Sequence, residues 1–411
     1  MIGEGKTAPI RPTPLWRNPD YLLLWSGQAI SSLGSGISEL AFPLLVLALT
    51  NSPAQAGFVA ALNALPRFIF GLLAGVLIDR WDRKRVMIIC DVGRALNMGS
   101  ILLAFAIGHL VVAQLYLVSF IEGSLAIFFE LAQVASLPRV IAREQLPMAA
   151  AQNEAAYSIT MLLGPPVSGL LYSIGRILPF VADTVSYTVS VCSLLFIRTR
   201  FQGERSAVPR KLHVEIVEGM RWLWHHALLR SIVLLAAGRA FVIASGTLIV
   251  IILAQRQHAQ PALIGLILAI GGVGNILGTL LAPLIQRRVR FGYIFVSMYW
   301  FTALFWSLYA LASTPLTLGA ITAGFAMIDS IYFVNQSSYR VSLIPDELQG
   351  RVNSVYRLTV FSLFSLGLAL TGILISRIGV VATVLVESGW LFMLAVAATL
   401  NAHVRNAPPP G

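Results

Sequence analysis

Charge is what this sequence has least of. Of 411 residues, only 11% are Asp, Glu, Lys or Arg, against about 25% in an ordinary soluble domain. So few charges cannot cover the surface of soluble cores at this length. That excludes a cytosolic enzyme, and the apolar content excludes a disordered chain. Cysteine is nearly absent too: Cys90 and Cys192 are the only two, and both sit in apolar stretches. They make neither a disulfide framework nor a metal set, and read as small packing residues. Histidine is sparse. His109, His213, His225, His226, His258 and His403 all fall at loops or helix ends. Adjacent His225 and His226 face different directions on a helix, so no metal site and no membrane-embedded metalloenzyme is expected. No Gly-x-x-x-x-Gly-Lys-Ser/Thr is present, so no nucleotide drives the protein directly and no cofactor is expected.

What is present is apolar: 57% of the residues are hydrophobic and the mean hydropathy is +0.79. A membrane helix needs about 20 such residues. The sequence predicts twelve spans, at 21–49, 54–78, 85–107, 111–136, 153–174, 177–197, 230–254, 262–285, 291–312, 316–339, 350–375 and 379–401. The organisation that follows is a polar, proline-bearing tail over 1–20, a six-helix bundle over 21–197, a linker over 198–229, a second six-helix bundle over 230–401 and a tail over 402–411. The tail over 1–20 is no signal peptide. In the linker, Val217, Met220, Trp224 and Leu228 recur at helical spacing beside Trp222, the pattern of a helix lying at the membrane interface.

The net charge of +11 does not point to nucleic acid, because the basic residues occupy short loops between spans. Arg80, Arg83, Lys84, Arg85, Arg139, Arg143, Arg287, Arg288, Arg290 and Arg351 fall on the side of the termini, and only Arg176, Arg256 and Arg377 on the other. The excess of positive charge places both termini and the linker in the cytoplasm, in a cell inner (plasma) membrane.

The two halves echo each other about 200 residues apart. Gly75 to Arg85 closes the second span as Gly278 to Arg288 closes the eighth, and Arg143-Glu-Gln-Leu146 matches Pro345-Asp-Glu-Leu348. Six-plus-six duplication is a mark of secondary transporters.

Gly75, Leu77, Asp79, Arg80, Arg83, Lys84 and Arg85 together resemble the loop-two signature of the major facilitator superfamily. Asp82 stands where the family usually has glycine, which resembles the drug-efflux branch of the macrolide and enterobactin exporters. Gly27-Gln-Ala-Ile-Ser, Leu137-Pro-Arg-Val and Asp346-Glu-Leu-Gln-Gly-Arg-Val resemble the same branch. Gly164-Pro165-Pro166-Val-Ser-Gly169 resembles an exporter signature, with a plain proline kink as the alternative.

The resemblance implies an all-α membrane protein with twelve transmembrane helices in two pseudo-symmetric six-helix halves. It implies a latch in which Asp79 faces the start of span eleven near Gly350 and Arg351, helped by Gly75, Arg80 and Arg83. A carboxylate is attracted to a helix N-terminus, so the latch favours the outward-facing state. It also implies that spans one, four, seven and ten line the cavity. A charge near mid-span costs about 2.5–3.5 kcal/mol, so Glu39, Glu122, Glu130, Arg239 and Asp329 become functional candidates. A carboxyl group in a poorly hydrated cavity can hold and release a proton, and Glu39, Asp329 and Glu122 are the proton-coupling candidates. Phe42, Arg239, Phe333 and Gln336 are the candidates for the cavity wall and substrate. Asp91, Arg94 and Glu130 are expected to form a charge cluster, with Arg83 near it; Glu130 has Arg94 or Arg67 as its expected partner, and a structural pair with Arg239 is the alternative for Asp329. Asp183 and Glu387 fall on peripheral spans, and the aromatic residues of span nine are expected to face lipid.

The expected function is export of a hydrophobic or amphiphilic small molecule (drug, macrolide or siderophore type) by a monomer, in exchange for protons. An importer or facilitator on the same fold is the alternative, and a membrane-embedded enzyme a remote one.

Overall fold

The computed structural model describes residues 14–199, 201–202 and 212–407, and of 212–216 the backbone alone. Every regular element among them is a helix. The first half holds α1 (Pro19–Thr50), α2 (Pro53–Arg80), α3 (Arg83–Ala106), α4 (Val112–Val140), α5 (Leu146–Ile174) and α6 (Leu178–Phe196). A linker helix follows, α7 (Leu212–His225). The second half holds α8 (Ala227–Ile243), α9 (Gly246–Arg256), α10 (Pro261–Gln286), α11 (Phe291–Leu308), α12 (Pro315–Leu343), α13 (Gln349–Ile378) and α14 (Val380–Leu400).

Among the described residues, eleven helical segments are long and apolar enough to cross a membrane, with α8 and α9 taken as one. The twelfth long helix, α5, has 29 residues but carries Gln152, Asn153 and Glu154 near its start. The twelve-helix expectation therefore stands, with one correction. Span seven is broken at Ala244 and Ser245. The Ser245 hydroxyl donates to the Val242 carbonyl at 2.8 Å, and a Ser-Gly pair is a common site of helix breaks.

Local chemistry fixes the helix starts. Asn18 caps α1 by accepting from the Tyr21 amide, and Ser52 caps α2. Asp82 accepts from the Arg85 amide at 3.0 Å and so caps α3. A capping residue of this kind contributes about 1 kcal/mol. Thr314 and Thr317 form a reciprocal capping box on α12.

Within the first half, α1 packs on α5 and α6, α2 on α4, and α3 on α4 and α6. Within the second, α8 packs on α13, α10 on α12, and α11 on α12 and α14. The halves meet along two seams, α2 with α13 and α5 with α10. Both seams are tight at the end away from the chain termini. A Cβ added to Gly57 would lie 2.6 Å from the Leu368 carbonyl oxygen, and one on Gly169 2.3 Å from that of Pro261. A Cβ on Gly265 would lie 2.3 Å from the Pro165 carbonyl oxygen, so the Gly-Pro-Pro stretch of α5 serves as a close crossing. The amides of Ala54 and Ala262 donate across the seams to Ser376 and Ser173. At the terminal end nothing approaches within 4 Å of a Cβ placed on Gly71, Gly75 or Gly350. The molecule is closed at one end and open at the other.

The aromatics of α11 divide by helical period rather than all facing lipid. Phe295, Tyr299, Trp306 and the following Tyr309 are buried, whereas Tyr293, Trp300 and Phe301 are exposed. Asp183 and Glu387, expected at the periphery, are both buried inside their bundles.

Candidate functional site

The open end leads into a cavity of about 690 Å³. Polar side chains at helical spacing build its wall. From α1 come Gln28, Ser32, Ser35 and Glu39; from α2, Asn63 and Arg67; from α4, Glu130 and Gln133; and from α5, Asn153 and Tyr157. The far half contributes Phe361 and Phe364 of α13. Glu39 lies at the closed end, accessible from the cavity while protein surrounds it on its other sides. Its position depends on a close helix crossing: Gly36 meets Thr160 and Gly164 of α5, and a Cβ on Gly36 would lie 2.6 Å from the Thr160 methyl. Arg67 pairs with Glu130 at 3.8 Å with both side chains partly open to the cavity.

A buried network runs inward from the cavity wall, which Arg94 and Ser35 themselves line. The Arg94 Nε donates to Glu122 Oε1 at 2.6 Å, and the Tyr187 hydroxyl donates to the same oxygen at 2.7 Å. The Arg94 guanidinium stacks over the Tyr187 ring at 4.2 Å and reaches Ser35 at 3.2 Å. Asp91 lies 3.7 Å from Arg94, and Ser38 donates to Asp183 at 2.5 Å. The second half has its own version. Arg239 donates to Asp329 at 2.5 Å and stacks over the Tyr332 ring at 4.0 Å. Each half thus holds an arginine between a carboxylate and a tyrosine face. Charge-assisted bonds of this kind are about twice as strong as neutral ones, and they make each bundle stiff.

Several sequence expectations change here. Glu122 is buried in the Arg94 network, not presented to the cavity. The expected cluster of Asp91, Arg94 and Glu130 is split. Glu122 and Glu130 are eight residues apart on α4, about 12 Å along the axis, so Arg94 takes the first and Arg67 the second. Arg83 lies apart from both, donating to the Ala135 carbonyl at 2.7 Å. Phe42 is not a cavity wall: it packs edge-on against Phe180 at 5.1 Å inside the first bundle. Gln336 is fully buried in the second bundle, where it accepts from Tyr356 at 3.4 Å. Phe333 is exposed, four residues from Asp329, but is outside the described cavity lining. Arg239 is buried against Asp329 and is likewise outside that lining.

The latch contact is not made in this state. Asp79, at the end of α2, pairs with Arg83 at the start of α3 at 3.6 Å, and Arg80 is exposed. Gly75 and Gly350 have no neighbour, and Arg351 instead donates to Glu218 of α7 at 2.7 Å. The physical reason is that the halves are apart at the terminal end, where the latch would close.

Sequence reasoning missed Gln28, Asn63, Gln133, Asn153 and Tyr157 as cavity residues. Their signal is the polar stripe at intervals of three and four within otherwise apolar spans, of which only the charged members had been singled out.

Comparison with known proteins accords with this architecture. Residues 10–408 match the family model of a transmembrane secretion effector. The multidrug efflux pump Tap of Mycolicibacterium fortuitum is 26% identical over 408 residues, covering 95% of this chain and 97% of that one. Macrolide efflux protein A of Streptococcus pyogenes is 30% identical over 226 residues, 54% of this chain and 55% of the relative. Among solved structures, a D323A mutant of the nucleoside transporter NupG superposes with a TM-score of 0.76 at 12% identity, covering 94% of this chain and 100% of that one.

Proposed function

The chain belongs to the transmembrane secretion effector family, in the drug-efflux branch of the major facilitator superfamily, and from that premise we propose that it exports an amphiphilic small molecule in exchange for protons by alternating access. It is a multi-pass membrane transporter and not an enzyme. The direction, the proton and the substrate chemistry are the proposal.

The observation that carries the reading is Glu39 at the closed end of a cavity open towards the chain termini. With the termini in the cytoplasm, as the loop charges imply, this is the inward-facing state. A carboxyl group there meets each side of the membrane in turn. Facing outward, it takes a proton. Facing inward, it loses that proton to the cytoplasm, and the carboxylate is then free to hold the cationic group of a substrate. Return to the outward state carries the substrate out, where a new proton displaces it. The amides and hydroxyls along α1, α2, α4 and α5 suit the polar part of such a substrate, and Phe129, Phe361 and Phe364 its apolar part. We assign the carrier role to Glu39 over Asp329, because Asp329 is already held by Arg239 within the second half. Similarity to the efflux pump Tap and to macrolide efflux protein A supports the outward direction.

The test is substrate-linked proton flux in proteoliposomes, with dyes, macrolides and siderophores as trial substrates. Wild type is expected to move protons only with substrate. Glu39→Gln is expected to lose the proton flux, and Asp329→Asn to keep it. Coupled flux that survives Glu39→Gln would sink the assignment. Wild-type transport that ignores an imposed pH gradient would leave a facilitator on the same fold.

A further inference from the structure

The linker helix α7 has two faces. One is docked: Leu223 is buried with Leu229, Val233, Ile344, Val352 and Val355. Gly219 fits against the backbone of Arg351, where an added Cβ would lie 2.8 Å from the carbonyl oxygen. Glu218, which is the only acid between residues 217 and 230, accepts from Arg351 at 2.7 Å. The other face is unpartnered among the described residues. Val217, Met220 and Trp224 are exposed at 62%, 41% and 53%, and Arg221 and His225 are exposed among them. Arg230 reaches back to this face, donating to the Trp224 carbonyl at 3.1 Å with its guanidinium 5.9 Å from the indole.

We propose that this outer face of α7 binds the headgroups of anionic phospholipid. An apolar stripe with an indole, flanked by arginines and holding no free acid among the described side chains, fits the boundary between acyl chains and negatively charged headgroups. The inference rests on the chain spanning a membrane and is independent of the export reading. It also gives α7 a role. Its other face grips Arg351 at the start of α13, a helix of the α2–α13 seam, so a leaflet that holds α7 also holds that helix end.

The experiment uses the full chain in nanodiscs. Fluorescence of Trp224 is taken as wild type minus Trp224→Phe, and it is quenched by brominated phosphatidylglycerol or brominated phosphatidylcholine. The expected result is steeper quenching by the anionic lipid, by about fivefold in apparent affinity for each arginine involved. Arg221→Gln with Arg230→Gln is expected to erase the difference. As a check that needs no arginine variant, raising salt to about 0.5 M should also shrink it. Equal quenching by the two lipids, or no quenching by either, would overturn the proposal. So would displacement by soluble glycerophosphate at matched concentration, which would make the face a site for a free anion.

Discussion

If the halves alternate access as proposed, the glycine seams make a quantitative prediction about the balance between the two states. Consider Gly169→Ala on α5. The new Cβ would sit 2.3 Å from the Pro261 carbonyl oxygen, where ordinary contact is 3.4–4 Å. The obstacle is backbone, so no side-chain rotation relieves it. The helices must part by about 1 Å, and overpacking of this kind costs about 1–3 kcal/mol. That strain falls on the state in which the seam is closed, and is released when the halves part there. The balance should therefore move towards the opposite state by about 5- to 150-fold. Spin labels at His109 and Arg256, on opposite halves at the closed end, would report it in a Cys192→Ser background. The mean distance should lengthen in Gly169→Ala. It should stay put in the control Gly389→Ala, whose added Cβ meets nothing within 4 Å. A folded Gly169→Ala protein with an unchanged distance distribution would refute the claim that these seams set the closed end.

The buried network predicts stability effects. Arg94→Met leaves Glu122 and Asp91 without their cation, and breaking a buried pair from one side costs about 3–5 kcal/mol; thermal unfolding in detergent should fall clearly, and an unchanged midpoint would contradict the network's role. Glu39→Gln, by contrast, removes a group that is accessible from the cavity and is in none of the observed salt bridges among the described residues. Its midpoint should match wild type within error even where proton coupling is lost, and a large drop would mean that Glu39 is structural.

The twelve-helix plan was legible because apolar runs of membrane length and basic loops leave little choice of architecture. The break at Ser245 was not, since two small residues inside an apolar run carry almost no signal of their own. Charges at depth pointed to the right helices and to two right partners, Glu130 with Arg67 and Asp329 with Arg239, but not to Arg94 as the partner of Glu122. Glu122 and Glu130 share α4, and only three-dimensional packing shows that they serve different arginines. Phe42 and Gln336 were placed by residue type, and type does not say which way a side chain on a helix turns; one faces Phe180 and the other the second bundle's interior. The latch pairing fails for another reason. A latch expected to close in one state of a transport cycle leaves no mark on a structure open at that end, and here Arg351 is on Glu218 instead.

The distribution of ion pairs has a mechanical consequence. Arg94 with Glu122, Arg67 with Glu130 and Arg239 with Asp329 each lie inside a single half. Among the described residues, the two seams carry no salt bridge; the halves touch through glycine-backed contacts, the packing of Ala61 with Ala244 and Leu368, two amide-to-serine bonds, and the Arg67 guanidinium 6.0 Å from the Phe361 ring. In the proposed alternating-access cycle, rocking of the halves would therefore break none of these ion pairs. The electrostatic energy is stored in the rigid bodies and the hinge surfaces are left nearly neutral, so the switching rate should respond to the shape of the seams far more than to ionic strength.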